Sequence, residues 1–139
     1  MPLCSAGARP SLPIPPAYPA HLIEDADFNF PGVPATITYA IAFAVFTHLP
    51  LPCLTQALTQ IRRRFPLLQR LIFTVFLAPP DRYDAAFRQP DGVVTHPDRA
   101  PYHHRADQVL ATAAAAGFQA SLTDPVLPRG QRLCTAIPT

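Results

Sequence analysis

The apolar positions of the chain fall into two continuous runs separated by a helical repeat. Ile37–Phe46 and Leu71–Ala78 are rich in β-branched and aromatic residues without polar alternation, which is typical of strands buried on both faces. Between them, apolar residues recur at helical spacing, at Leu54, Ala57, Leu58, Ile61 and Phe65. The pattern predicts a βαβ unit, in which a right-handed crossover helix joins two parallel neighbouring strands.

The predicted helix carries start and stop signals. Pro52 suits its first turn, where the backbone N–H groups have no intrahelical partner. Arg62, Arg63 and Arg64 lie in the last turn, where positive charge complements the helix dipole, and Pro66 ends the helix. We therefore interpret the three arginines as helix-end residues rather than as an anion site.

The second half of the chain predicts a long loop, a helix and two short strands. Asp81–His104 is polar and rich in Pro, Asp and Arg, and loops of this length tend to be functional. Ala106–Ala116 has high helix propensity, with Gly117 as its C′ residue. The apolar face of this helix is predicted at Val109, Leu110, Ala113 and Ala114. Phe118–Leu122 and Arg132–Ile137 are predicted to pair as antiparallel strands.

Composition divides the chain into a lead-in and one folded unit. Residues 1–20 hold six of the 19 prolines, whose fixed φ and missing N–H predict an extended or disordered segment without a site. Residues 21–139 suffice for one domain, and a hydrophobic fraction of 49% with 14% charged residues predicts a buried core.

Charge and cysteine content exclude several classes of protein. The net charge of +2 comes from scattered arginines without any lysine, which is too weak a field for a nucleic-acid partner. Three widely spaced cysteines without a C-x-x-C pair indicate neither a disulfide framework nor a zinc ribbon, and favour a reducing compartment. The apolar stretch Tyr39–Phe46 is too short to span a bilayer, and the first residues lack a signal-peptide pattern. We therefore expect a soluble, cytoplasmic protein without a membrane partner.

Short sequence words carry a family resemblance. They are YAIAFAVFTHLP at Tyr39–Pro50, ALTQIRR at Ala57–Arg63, LIFTVF at Leu71–Phe76, APYHH at Ala100–His104 and PRGQ at Pro128–Gln131. In this order they resemble the C-terminal half of a class I S-adenosylmethionine-dependent methyltransferase domain. The resemblance implies an α/β chain with a partial Rossmann-like methyltransferase fold, in which two parallel central strands with covering helices precede a C-terminal antiparallel hairpin.

The resemblance also implies cofactor-binding residues for S-adenosyl-L-methionine. Ligands of open α/β sheets bind at the carboxyl ends of the parallel strands, which places Phe46, Thr47 and His48 beside the methionine part of the cofactor. Asp27 lies where related enzymes place an acidic residue near the adenine. From the residues alone, His48 is either a polar residue that closes the end of the sheet or a catalytic base, and Asp27 can be a residue of a solvated loop.

The long loop supplies the substrate-facing residues that the resemblance implies, Tyr102 and His103. No catalytic residue is assigned, because methyl transfer depends mainly on an in-line approach of the acceptor to the sulfonium methyl. The implied activity is transfer of a methyl group from S-adenosylmethionine to an acceptor that the sequence does not identify.

Two departures from the family pattern bear on that activity. The family's G-x-G turn is absent, since the five glycines, at positions 7, 32, 92, 117 and 130, stand alone, and no acidic strand end for the ribose precedes Ile37. Where relatives have a Pro-Gly-Gly turn, Pro66–Arg70 has no glycine. The expected activity therefore requires completion by an N-terminal half. The alternative is a non-catalytic half-domain, either a truncated gene product or a partner-binding module that self-associates through an exposed sheet edge.

Two other chemistries fit the loop less well. His103-His104-Arg105-Ala106-Asp107 is one residue short of the HH-x-x-x-D pattern of CoA-dependent acyltransferases. His96, Asp98, His103 and His104 share one loop, but adjacent histidines do not readily bind one ion, and polar loop histidines are usually solvated. No metal is expected.

Overall fold

A computed structural model describes residues 22–123 and 126–139 of the chain. The proline-rich lead-in predicted for residues 1–20 lies outside these residues. The first described elements are strand β1 (Tyr39–Ala42), helix α1 (Leu51–Arg64) and strand β2 (Arg70–Leu77). β1 and β2 pair in parallel, with Tyr39 opposite Arg70 and Ala42 opposite Phe73. The predicted βαβ unit is confirmed.

β1 is shorter than the predicted strand, which was expected to continue to Phe46. Ala44 has a φ of 57°, in the left-handed region, and Phe46–His48 form a 3₁₀ turn. The Ala44 N–H donates to the Thr74 hydroxyl at 2.8 Å, instead of continuing the ladder with β2. The prediction was wrong at this end, because an apolar pattern does not report where the backbone leaves the extended region.

Helix α1 begins and ends where its sequence predicts. Pro50 caps it in an extended conformation, Pro52 lies in its first turn, and Arg62, Arg63 and Arg64 lie in its last. The apolar face is buried, including Leu54 and Leu58, both fully inaccessible to solvent. The turn after the helix contains no residue with a positive φ between 66 and 69, so the family's glycines are not required here.

The long loop is more ordered than its composition predicts. It contains three two-residue strands, β3 (Phe87–Arg88), β4 (Val94–Thr95) and β5 (His103–His104). β3 and β4 form an antiparallel pair, and β5 extends the main sheet in parallel beside Phe76 and Leu77 of β2. The loop therefore returns to the carboxyl end of β2.

The chain closes with helix α2 (Ala106–Ala115) and strands β6 (Phe118–Leu122) and β7 (Arg132–Pro138), in good agreement with the predicted elements. Gly117 has a φ of 93°, as a C′ glycine requires. Val109 and Ala113 are buried as predicted, whereas Leu110 and Ala114 are exposed, so the predicted apolar face is wrong at these two positions. β6 and β7 pair antiparallel, and the main sheet has the order β1-β2-β7-β6.

The two helices belong to a core that lies on one face of this sheet. Residues at alternate positions of the strands point into that core, among them Leu71, Phe73, Cys134 and Ala136. The intervening positions of β1 point the other way, and the Tyr39, Ile41 and Phe43 side chains remain 60%, 73% and 58% exposed. The described residues therefore cover one face of β1 and leave its other face open.

Two cysteines lie among the described residues, Cys53 and Cys134, and both are fully buried. Cys134 is a free, buried thiol, and burial raises its pKa to about 12. No helix among the described residues has the length and apolar character needed to cross a bilayer.

Candidate functional site

The predicted cofactor residues of the strand-end turn lie where β1 gives way to α1. Phe46 and Thr47 are buried, and the Phe46 ring packs edge-on against Phe73 of β2, with 5.5 Å between ring centroids. His48 is exposed at the end of the turn. Because His48 is exposed, its ring does not close the end of the sheet, which was one of the roles that the sequence allowed for it.

The strand-end turn contacts the long loop directly. The Thr47 carbonyl accepts a hydrogen bond from the Tyr102 N–H at 2.8 Å. The peptide bond between Ala100 and Pro101, just before Tyr102, is cis. Of the residues assigned to cofactor and substrate, Thr47 and Tyr102 are thus held together by backbone, at the carboxyl end of the parallel strands.

Asp27 lies near the strand-end turn because the next residue, Phe28, packs against Phe46. The Phe28 ring lies 6.4 Å from the Phe46 ring, between centroids, and the Asp27 carbonyl accepts from the Gln56 side chain at 3.2 Å. Asp27 is partly exposed. The structure therefore places Asp27 near the strand-end turn.

Asp25, which the sequence did not single out, shapes the loop that carries Asp27. Its carboxylate accepts hydrogen bonds from the backbone N–H groups of Asp27, Asn29 and Phe30. Partial burial raises its pKa, but these three bonds outweigh that effect and hold the pKa of Asp25 below its usual value. An aspartate that accepts from nearby backbone N–H groups is typical of an Asx-type turn. Asp25 and Asp27 are both suitable for this role, so the sequence does not show which of them forms the turn.

His103 has a structural environment rather than an open one. Its ring is fully buried, with Nδ1 2.9 Å from the Thr95 hydroxyl and Nε2 2.7 Å from the Tyr83 carbonyl oxygen. A carbonyl only accepts, so Nε2 carries a proton and donates to it. The rings of Tyr83 and Phe87 enclose the imidazole. His103 packs inside the long loop, so its ring does not face a substrate as the resemblance implied. The expectation of solvated loop histidines is wrong for His103 and His104.

His104 is buried beside it without such partners. Its Nε2 makes no hydrogen bond with the described residues, and burial, together with the nearby His103, lowers its pKa to about 4. The ring is therefore uncharged at neutral pH. Among the described residues, no group of three or more His, Cys, Asp or Glu side chains could hold a metal ion. Asp107, the last residue of the acyltransferase-like word, forms an ion pair with Arg105 instead of meeting the histidines.

Residues that no sequence pattern singled out also hold the long loop in place. The Gln89 side chain donates to the Leu77 carbonyl at 3.0 Å and to the Thr95 hydroxyl at 3.1 Å. Gly130, in the PRGQ word, approaches the same side chain so closely that an added Cβ would lie 2.7 Å from the Gln89 Cβ. Gln89, Thr95 and Gly130 together connect the long loop, the end of β2 and the β6–β7 connection.

Thr74, unlike Gln89 and Thr95, can be singled out from the sequence, because it is the one polar residue inside the apolar run LIFTVFLA. We expect Thr74→Val to remove the acceptor of the Ala44 N–H and destabilise the strand end by about 1–2 kcal/mol. Amide hydrogen exchange at Ala44 measures this directly. Thr74→Ser keeps the hydroxyl and serves as the control, and equal Ala44 protection in both variants would contradict the assignment.

Comparison with known proteins bears on the fold. No family model matches the chain, and no curated protein matches it. Solved structures do match, among them a candidate O-methyltransferase from Nostoc punctiforme, with a TM-score of 0.59 and 18% identity over 84% of this chain and 36% of that one. The 1,6-didemethyltoxoflavin-N1-methyltransferase of Burkholderia thailandensis was solved with bound S-adenosylhomocysteine. It matches with a TM-score of 0.51 and 17% identity over 81% of this chain and 48% of that one. The pyocyanin biosynthetic protein PhzM matches with a TM-score of 0.52 and 14% identity over 77% of this chain and 32% of that one.

These likenesses confirm the predicted fold. The chain adopts part of a methyltransferase fold and spans about a third to a half of the length of the proteins that it matches.

Proposed function

We propose that this chain provides part of the ligand site of an S-adenosylmethionine-dependent methyltransferase, and that methyl transfer requires a further segment with a G-x-G turn. The observation that carries the proposal is the hydrogen bond between Thr47 and Tyr102. It joins the end of a parallel strand to the long loop at the edge of the sheet where ligands of this architecture bind.

The residues around this contact suit one side of the cofactor. Asp27 is partly exposed and its carboxylate would accept from the adenine amine, while the turn Phe46–His48 would lie along the methionine part. The B. thailandensis neighbour was solved with bound S-adenosylhomocysteine, which supports this choice of ligand. When bound, the cofactor supplies an electrophilic methyl group on a sulfonium.

The described residues would position the acceptor rather than exchange protons with it. Tyr102 is held by Thr47 and partly exposed, so its side chain is the one we assign to face the acceptor. His103 is enclosed by Thr95 and Tyr83, and we assign it the role of holding Tyr102 in place. In-line approach to the methyl group is the main requirement of this reaction.

The free edge of β1 is where we place the completing segment. Among the described residues β1 pairs only with β2, and a cavity of about 250 Å³ lies along it, lined by apolar residues. No charged residue interrupts Ile37–Phe46, whereas unpaired edges are usually protected by charge or proline. A parallel strand followed by a glycine turn would pair with this edge and bring cofactor-binding N–H groups to Phe46.

The second candidate function is a non-catalytic module, and the same edge favours it. Two copies could pair through β1, since Tyr39, Ile41 and Phe43 present one self-complementary row. In that arrangement the edge is satisfied by another copy of this chain, and no cofactor is bound.

Calorimetric titration with S-adenosylhomocysteine distinguishes the two. We expect binding when the chain is joined to a segment that carries a strand and a G-x-G turn, and about tenfold weaker binding for Asp27→Asn in that protein. Asp98→Asn, at an exposed carboxylate of the long loop, is the control and should bind like the parent. Absence of heat at millimolar ligand in the joined protein, with a stable dimer of the chain alone, would reject the methyltransferase proposal in favour of the module.

A further inference from the structure

The face of the main sheet that points away from α1 and α2 is apolar on one side and polar on the other. Its apolar side lies on β1 and β2, where Ile41 and Ile72 are neighbours in the parallel register and Ile41 is 73% exposed. Its polar side lies on β6, where Gln119 and Ser121 are exposed. Strands of a parallel pair are normally buried on both faces, so the apolar side lacks a cover among the described residues. We name it the β1–β2 face, and it consists of Tyr39, Ile41, Phe43, Arg70 and Ile72.

The width of the β1–β2 face suits one α-helix. Neighbouring strands lie about 5 Å apart, and a helix with its side chains is about 10–12 Å wide, so one helix covers two strands. At the carboxyl end the face is already closed, because Phe76, the last outward residue of β2, is buried and pairs with His103 of β5. A second sheet would have to extend over β6, whose polar side chains favour contact with water. The shape of the uncovered area therefore favours a helix over a sheet.

The β1–β2 face carries a positive charge and no negative one. Arg70 lies on β2 opposite Tyr39 in the register, is exposed, and forms no ion pair with the described residues. None of the four strands β1, β2, β6 and β7 contains Asp or Glu. Two copies of this face in contact would place two arginines in one interface without a carboxylate, whereas a helix with Glu or Asp beside its apolar stripe would pair with Arg70. The charge therefore favours a different partner over a second copy of the chain.

The direction of the chain across the sheet explains how a helix would reach this face. The crossover from β1 to β2 carries α1 on the core side of the sheet. A strand at the free edge of β1, followed by a helix that leads to a strand farther from β1, crosses the sheet in the opposite direction. Since such connections are right-handed, the helix after that strand lies on the face opposite α1.

We propose that the β1–β2 face binds an amphipathic helix that carries a carboxylate beside its apolar stripe, and that this helix follows the strand proposed to pair with the β1 edge. Ile41 and Ile72 contact the apolar stripe, and Arg70 forms an ion pair with the carboxylate. Only the origin of the helix rests on the proposed function, because its chemistry follows from the face itself.

Two synthetic helices test the proposal on the full chain. They have about 18 residues each, share a leucine stripe and differ in the residues that flank it, which are Glu in one peptide and Lys in the other. By fluorescence anisotropy at low salt, we expect the Glu peptide to bind at sub-millimolar concentration and about fivefold more tightly than the Lys peptide. Arg70→Gln should remove this preference, and Ile41→Asp should weaken the binding of both peptides about tenfold. Leu110→Asp makes the matched apolar-to-acidic change on the exposed side of α2 and should leave both peptides unaffected.

Four results would overturn the proposal. Three concern the peptides: absence of binding of the Glu peptide at millimolar concentration, an equal preference in the parent and Arg70→Gln chains, or equal weakening by Ile41→Asp and Leu110→Asp. The fourth is a dimer in analytical ultracentrifugation that Ile41→Asp dissociates, which would assign the face to a second copy. Circular dichroism of each variant establishes that it is folded. No S-adenosylhomocysteine is present, so peptide binding and the titration of that ligand can each fail while the other stands.

Discussion

Replacing His103 with leucine is expected to lower the free energy of unfolding by about 3 kcal/mol. The imidazole is fully buried, and its two ring nitrogens bond Thr95 and the Tyr83 carbonyl. Leucine fills much of the same space but leaves that carbonyl without its donor, at a cost of about 1–3 kcal/mol, and removes the second bond as well. Urea denaturation measures the change as a shift in midpoint at constant slope.

The neighbouring His104 provides a matched control for this substitution. It is equally buried, but its Nε2 has no partner among the described residues, so His104→Leu should cost far less than His103→Leu. Its pKa of about 4 lies below the ordinary 6.5, so the unfolded chain binds more protons between these values and stability falls as the pH decreases from 6.5 toward 4. His104→Leu should reduce that acid sensitivity. Equal destabilisation by the two substitutions would contradict the anchoring role of His103.

The architecture could be predicted because its signals are local. The apolar strand runs, the helical repeat of α1 and the C′ glycine at Gly117 each report the conformation of their own few residues. Burial of β1 on both faces was predicted and is not seen among the described residues, because one of its faces is open. The parallel order of β1 and β2 then follows from the length of the crossover between them. Local signals failed at Ala44, where a residue without special backbone preference takes a positive φ, because an acceptor on the neighbouring strand holds its N–H.

The site was only partly predictable, because its contacts join distant segments. The resemblance identified Thr47 and Tyr102 separately, but nothing in the sequence shows that one donates to the other through the backbone. The loop histidines were misjudged for the same reason. Burial of His103 depends on Thr95, Tyr83 and Phe87 arriving around it, and none of these residues carries a pattern that pairs it with a histidine.

Gly130→Ala tests the contact between the β6–β7 connection and Gln89 of the long loop, and we expect it to destabilise the chain by about 3 kcal/mol. Gly130 has a φ of 81°, where a Cβ costs roughly 1–2 kcal/mol. The new methyl would also lie 2.7 Å from the Gln89 Cβ and 3.3 Å from the Pro90 Cδ, and relieving such overpacking typically costs about 1–3 kcal/mol.

Gly92→Ala separates these two contributions. Gly92 has a similar φ of 90°, but the nearest atom to its added Cβ is the end of the Arg88 side chain, 3.9 Å away. It therefore bears the conformational cost alone and should lose about 1–2 kcal/mol. The difference between the two variants in urea denaturation measures how tightly the β6–β7 connection is packed onto Gln89. If both variants lose the same stability, the close packing at Gly130 is not what holds the β6–β7 connection against the long loop.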